Sequence, residues 1–266
     1  MADPLQKQSL VQSFQKLGIS RGDRLVVHSA LRSLGPVDGG ADTVLDALLE
    51  VLGEEGLLVV PTFTYNSGTF DTERSPSRTG ILTERLRLRA GAVRSFHPTH
   101  SVAAIGRGAE SVCEGHHRLP GLGKDTPLDR VAKAGGRILL LGVGHTSNST
   151  VHVGEAYAGA PYADIPFNPA WPTRIQVTGA AELTVDVHEP PGCSRAFGAI
   201  EARLRARGAI RDIMIGGSLI QLVPGQAVID SAVEQLRHDA ASLLCTDPAC
   251  YRCSQARKRI AESQTS

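Results

Sequence analysis

Apolar residues along the chain follow two periods, helical and strand-like, in alternation. Asp3 ahead of Pro4 predicts a helix N-cap, and Leu10, Val11, Phe14 and Leu17 supply the apolar stripe that Gly18 ends. The apolar run 24–28 predicts a buried strand. Val44, Leu45, Leu48, Leu49 and Leu52 predict a helix closed by Gly53, and 57–60 predicts a second strand closed by Pro61. Helices are predicted over 80–90 and 127–134, and strands over 101–105 and 137–143, the last being the most hydrophobic run in the chain. Such alternation predicts an α/β fold with a largely parallel central sheet covered by helices on both faces. After about residue 160, Pro and Gly punctuate β-rich segments, which predicts an antiparallel extension over about 161–192. Helical patterning returns at 194–208 and 226–244. With no repeat and no flexible linker, residues 1–266 read as one domain carrying a cysteine-containing tail over 245–266.

The chain has 266 residues, of which 41% are hydrophobic. That is enough to bury a core, which excludes a disordered chain. No apolar run approaches the roughly 18 residues of a membrane span. The opening MADPLQKQSLVQSFQKLG mixes charges and glutamines into its apolar positions, unlike a signal peptide. A cytoplasmic protein with no membrane partner is expected. Lys and Arg number 28 against 27 Asp and Glu, a formal net charge of +1, so no basic face suggests nucleic acid. Five cysteines, an odd number in a chain too long to need staples, read as reduced thiols.

Four segments hold more polar chemistry than their surroundings require. His28-Ser-Ala-Leu-Arg32-Ser33-Leu-Gly35 closes a predicted strand, where open α/β sheets bind ligands, and its hydroxyls, N–H groups and arginine suit phosphate or amide groups. An ordinary polar loop would look the same. His97 and His100 flank Pro98 and Thr99; a metal would need a third ligand that the sequence does not name, so a scaffold or ligand contact is the better reading. In the stretch 142–155, His152 and Glu155 share a helix face, and a carboxylate that orients an imidazole and favours its protonated form suits a general base. The neighbouring 145–148 offers donors for a developing oxyanion. Cys245, Cys250 and Cys253 fall within nine residues and invite zinc with Cys193 or His238 as the fourth ligand, but the spacing fits no standard finger. Free thiols are expected there, and Cys113 reads as a core or surface thiol. The chain has no P-loop, no Gly-x-Ser-x-Gly elbow and no His-Glu-x-x-His.

Taken together and in order, DRLVVHSALRSLGPVDGGADTVLDALLEVLGEEGLLVVPTFT, RSFHPTHSVAAIG, GLGKDTPLDRVAKAGGRILLLGVG, NSTVHVGEA and GGSLIQLVPGQAVIDSAVEQL resemble the aminoglycoside 3-N-acetyltransferase family over about nine-tenths of the chain. That family is unrelated in fold to the GNAT acetyltransferases. The resemblance implies acetyl-CoA as co-substrate, a small-molecule amine as acceptor and no metal. It implies that His28, Ser29, Arg32 and Ser33 receive the pantetheine and phosphates of CoA, and that Ser101 and Thr126 line the same cofactor, with Thr126-Pro127 where the family more often has Ser-Pro. His152 matches the base that deprotonates the acceptor amine, and Glu155 its partner or an amine anchor. Asn148 and Thr150 match an Asn-Thr pair near the thioester, though the local Asn-Ser-Thr leaves two hydroxyls to choose from. The implied acceptor is the 3-amino group of a 2-deoxystreptamine aminoglycoside. Another amine, or a silent CoA-binding protein, is the alternative, because the chain shows no acidic surplus for a polycation; Asp38, Asp71, Glu73, Asp164 and Glu155 would have to converge to make one.

Overall fold

A computed structural model of the chain describes residues 3–65, 68–179, 182–187 and 192–265. Ten strands run in order: β1 Arg24–Ser29, β2 Leu57–Pro61, β3 Thr69–Asp71, β4 Val93–Arg94, β5 Val102–Gly106, β6 Arg137–Leu141, β7 Arg174–Thr178, β8 Leu183–Asp186, β9 Arg211–Ile215 and β10 Ser218–Pro224. Among them lie the helices α1 Lys7–Leu17, α2 Gly40–Leu52, α3 Ile81–Arg87, α4 Ala109–Cys113, α5 Pro127–Lys133, α6 Thr150–Ala158, α7 Glu201–Ala206, α8 Gly225–His238 and α9 Tyr251–Thr265. Helix α1 begins after Gln6, so Asp3 is not its N-cap; the chain from Leu5 to Asp38 first makes a short bridge, with the Leu5 N–H on the Pro36 carbonyl.

Seven strands form the main sheet in the order β4-β5-β2-β1-β6-β10-β9. The parallel pairing expected from the βα alternation is confined to its centre, where β1 lies between β2 and β6. The flanks pair antiparallel: β5 on β2, β4 on β5, β10 on β6 and β9 on β10. Short turns join β4 to β5 and β9 to β10, whereas β5 and β10 return antiparallel to β2 and β6 after long connections. Alternation along the strands sends Leu25, Val27, Leu58, Val60, Leu139 and Leu141 to one face, against α1, α2 and α3. Val26, Leu57, Val59, Ile138 and Leu140 go to the other, against α5, α6, α8 and α9. Covering both faces is why these strands read as unbroken apolar runs.

The β-rich stretch after residue 160 supplies the antiparallel pair β7–β8, and β3 joins β7 in parallel to make a separate three-stranded sheet. Phe70, Ile175, Val177, Val185 and Val187 form its own small core. Residues 180–181 and 188–191 of that stretch lie outside the described residues. Among the described residues no helix is long and apolar enough to cross a membrane.

Two glycines set the close approaches that shape the strand ends. Gly142 follows β6 at φ +70°, and a Cβ there would overlap Ser33 Oγ, so only glycine lets the loops after β1 and β6 meet. Gly154 faces α8, where a Cβ would stand 2.5 Å from the Ala232 Cβ. That tight crossing seats α6, the helix carrying His152, against the core.

Candidate active site

The loops after β1, β2 and β6 and the segment entering the antiparallel β5 meet at one end of the main sheet. They enclose a cavity of about 760 Å³ whose walls include His28, Ser29, Phe63, Tyr65, His100 and His152. This is the carboxyl end of the three parallel strands, the position where open α/β sheets bind ligands.

His152 sits on the first turn of α6, and its Nδ1–H donates to Glu155 Oε2 at 2.6 Å. Both side chains are buried. The i, i+3 spacing brings them together, and the carboxylate fixes the tautomer, which leaves the lone pair of Nε2 as the free basic site of a ring lining the cavity. Phe197 packs edge-on to this ring, with centroids 4.6 Å apart. Behind the pair lies Tyr162, whose buried hydroxyl is near Glu155 but outside hydrogen-bond geometry; burial first, and then the Glu155 charge, hold its proton firmly.

Five more histidines border or back the cavity, all neutral. Burial, reinforced by His145, pushes His28 down to about 3, and burial takes His145 down to about 4. The Nε2 atoms of both are buried without a partner. His100 is held well below its usual value by burial and by neighbouring histidines, with its Nδ1 at 2.8 Å from Thr99 Oγ1. His97 Nδ1 accepts the His100 N–H at 3.1 Å, so that ring is spent on shaping the turn. His116 Nδ1 lies 2.8 Å from Ser95 Oγ, and its Nε2–H donates to the Gly121 carbonyl at 3.1 Å. The His97–His100 pair is thus a hydrogen-bonded scaffold.

Of the residues singled out in the sequence, His28, Ser29, His100, His152 and Cys193 line the cavity, with Glu155 directly behind His152. The others lie apart from its walls, because their polar atoms close the turns that build it. Ser33 Oγ donates to the Ala30 carbonyl at 2.7 Å. Ser101 Oγ donates to the Thr62 carbonyl at 2.8 Å and accepts from Arg94 Nε at 3.1 Å. Thr126 Oγ1 donates to the Gly123 carbonyl at 2.7 Å ahead of α5. Asn148 Oδ1 accepts the Thr150 N–H at 3.1 Å at the start of α6, and the Thr150 hydroxyl is buried without a partner. Thr146, Ser147 and Ser149, between and beside them, are the residues that reach the cavity. Arg32 lies on the surface past β1, with no acidic partner among the described residues. Burial pushes the Cys113 thiol up to about 12, as expected of a core cysteine.

The aromatic wall is a feature that the sequence reading missed. Phe63, Tyr65, Phe167 and Trp171 gather on one side, with Tyr65 and Phe167 ring centroids 6.4 and 5.6 Å from Trp171. In a chain only 4% aromatic, the single tryptophan inside the Pro-rich loop FNPAWP is the available signal. Arg94 is a second omission. It is mostly buried over the Phe70 ring, lowered to about 10 chiefly by burial, and it ties Ser101 to the Thr62, Thr72 and Ser75 carbonyls. The acidic convergence that a polycation would require does not form on the described cavity wall. Asp71 caps its own turn, Asp164 pairs with Arg259, and no carboxylate is among the described wall residues.

A buried imidazole–carboxylate pair at the strand ends of a mixed α/β sheet is the setting for proton transfer to or from a bound nucleophile, and the comparisons agree on the class. The family model described as aminoglycoside 3-N-acetyltransferase matches residues 26–237. Aminoglycoside N(3)-acetyltransferase IV of Salmonella sp is 29% identical over 237 residues, 88% of this chain and 88% of that protein. A histidine-to-alanine mutant of aminoglycoside acetyltransferase AAC(3)-IVa, crystallised with a gentamicin, matches at a TM-score of 0.86 and 28% identity over 98% of this chain and 99% of that one. The binary complex of AAC-IIIb with CoASH matches at 0.72 and 25% identity, over 89% and 97%. The protein is an acyltransferase. It belongs to the aminoglycoside 3-N-acetyltransferase family.

Proposed function

We propose that this chain moves the acetyl group of acetyl-CoA directly onto an amine, the 3-amino group of a 2-deoxystreptamine aminoglycoside, with His152 as general base. The observation that carries the reading is the buried His152–Glu155 pair at 2.6 Å, with Nε2 left free on the cavity wall. An ammonium has no lone pair, so the acceptor must give up a proton before it attacks. In this reading the ammonium first gives that proton to solvent, the neutral amine nitrogen bonds to the thioester carbonyl carbon while Nε2 takes a second proton from it, and the carbon–sulfur bond breaks. The departing CoA thiolate then recovers the proton from the imidazolium, and Glu155 stabilises that transient charge. Positioning amine and thioester together lowers the barrier without a covalent enzyme intermediate. The Ser147 and Asn148 N–H groups are taken by the Gly144 and His145 carbonyls. Oxyanion donors would therefore be the hydroxyls of Thr146, Ser147 and Ser149.

In the same reading CoA lies across the end of β1. His28, with its unpartnered Nε2, and Ser29 would meet its amide groups, and Arg32 a phosphate. Ser33, Ser101, Thr126, Asn148 and Thr150 would act by holding the loops. The relatives solved with CoASH and with a gentamicin support both ligand classes. Arg32→Ala is expected to raise the KM for acetyl-CoA several-fold, about 1 kcal/mol, with kcat little changed. An unchanged KM removes Arg32 from the cofactor site.

One observation favours a second acceptor class. The charged residues on the described cavity wall are Arg78 and Arg195, and neither suits a polycation. A less cationic amine would avoid that repulsion. The test is release of free CoA thiol from acetyl-CoA, measured with a panel of 2-deoxystreptamine aminoglycosides and a second panel of mono- and diamines. Release with the first panel supports the aminoglycoside reading, and release with the second alone replaces it. Release with neither, while acetyl-CoA binds, overturns amine acetylation by this site.

A further inference from the structure

The cysteines of the tail do not lie where free thiols need to. Cys245 follows α8, Cys250 immediately precedes α9, and Cys253 is on its first turn. Cys193 arrives from the far side, in the segment leading to the cavity wall. All four are buried and unbridged, and their Sγ atoms lie within 4.8 Å of one another. Among the described residues they are the group of three or more side chains that could hold a metal ion. Zinc binds thiolate at about 2.3 Å, which places the sulfurs of a regular tetrahedron roughly 3.8 Å apart. Four sulfurs all within 4.8 Å of one another can take that arrangement with small shifts, whereas two disulfides would draw them into two pairs at about 2 Å.

The surroundings suit a dianionic centre. The Arg195 N–H reaches Cys193 Sγ at 3.5 Å, an outer contact that favours thiolate. The turn between Cys245 and Cys250 is already formed, with Asp247 Oδ1 accepting the Ala249 N–H at 2.9 Å and the Asp247 carbonyl accepting the Cys250 N–H at 3.1 Å. Arg257 clasps the Leu244 and Cys245 carbonyls at 2.7 and 3.2 Å. Arg252 is almost wholly buried, and it runs so close to Gly192, beside Cys193, that a Cβ there would overlap its guanidinium. Among the described residues its hydrogen-bond partner is the Ile165 carbonyl, and no carboxylate balances it. A guanidinium stays charged, and burying one without an anion is costly. Four thiolates around one divalent ion carry a net charge of minus two, which would supply the missing counter-charge.

We propose that Cys193, Cys245, Cys250 and Cys253 bind one structural zinc ion, replacing the expectation of no metal. Loading releases the four thiol protons and oxidises nothing. The centre ties α9 to the segment 192–197, in which Ser194 and Arg195 line the cavity and Phe197 packs on His152. It therefore fixes the wall beside the base without touching the chemistry, and it stands whether or not the acceptor is an aminoglycoside.

The full chain, purified under reducing conditions without added chelator, is assayed for metal by mass spectrometry. About one zinc per chain is expected, and it should be lost in Cys193→Ser and Cys253→Ser but kept in Cys113→Ser, a buried thiol outside the quartet. If the serine variants fail to fold, the wild-type chain still decides. Titration with a mercurial in the presence of a zinc-sensitive dye should release one zinc as four thiols react, and cobalt loaded after chelation should give the absorption of a tetrahedral tetrathiolate. Chelation under reducing conditions should lower Tm. The assignment is overturned by protein that neither carries zinc nor takes up zinc or cobalt when offered excess. Iron in its place, or zinc retained in both serine variants, overturns it equally.

Discussion

Replacing His152 by alanine is expected to lower kcat by two or more orders of magnitude while the affinity for acetyl-CoA stays within a few-fold. The size follows from the role. General acid–base groups contribute about 10²–10⁴ in rate, and the loss falls on kcat because the proton moves only in the transition state. Its partners Glu155 and Phe197 are held through α6 and the segment after Cys193, and because the ring is buried between them, Tm measured alongside kcat separates a loss of fold from a loss of the base. Steady-state kinetics with the accepting amine, alongside equilibrium binding of acetyl-CoA, separates the two quantities. An unchanged kcat would move the base elsewhere, and His100, also on the cavity wall, is the next imidazole in reach. Its burial holds it neutral, so it has a lone pair to offer, but its Nδ1 is already committed to Thr99.

The legible parts of this molecule are those governed by local periodicity. The strands β1, β2 and β6 and the helices α2 and α8 follow from runs of Val, Leu and Ile whose spacing is set within a few residues. The antiparallel flanks were not legible, because a buried run such as 102–106 looks the same whichever way its neighbour points. The site divides similarly. His152 and Glu155 stand three apart on one helix, so their meeting at 2.6 Å is a local fact. The wall is not local: Trp171, Tyr65 and Phe63 come from separate loops, and Cys193 meets Cys245, Cys250 and Cys253 only through the path of the tail. Ser33, Ser101 and Thr126 stand off the cavity wall for a physical reason. A hydroxyl in a tight turn is as useful for closing that turn as for meeting a ligand, and here each has its hydrogen bonds inside the chain.

The same buried histidines make stability fall steeply on mild acidification. His28, His97, His100, His116 and His145 are all buried, and all titrate below their usual 6.5, chiefly because burial disfavours the imidazolium. Their neighbours add to this. His116 and His100 face His97, His152 faces His100, His145 faces His28, and Arg130 bears on His116. Well above their usual 6.5 both the folded and unfolded chains hold these rings neutral, so they make no difference. Below it the unfolded chain takes up protons that the native chain refuses, and stability is lost until the depressed native values are reached, at about 3 for His28 and His116 and about 4 for His145. Roughly one pH unit below the usual histidine value, each ring costs about 1 kcal/mol, so five together cost on the order of 5 kcal/mol. That is comparable with the whole stability of a typical domain, about 5–15 kcal/mol. Carboxylates titrate near 4 and leave the interval from about 6.5 to 5 mostly to histidine. Urea midpoints measured at about pH 8, 7.5 and 5.5 should therefore agree closely between the first two and drop sharply at the third. A midpoint that holds steady down to about pH 5.5 would mean that these rings can be protonated within the fold, and that the neutral scaffold behind the cavity is not what keeps His100 and His28 available to a ligand.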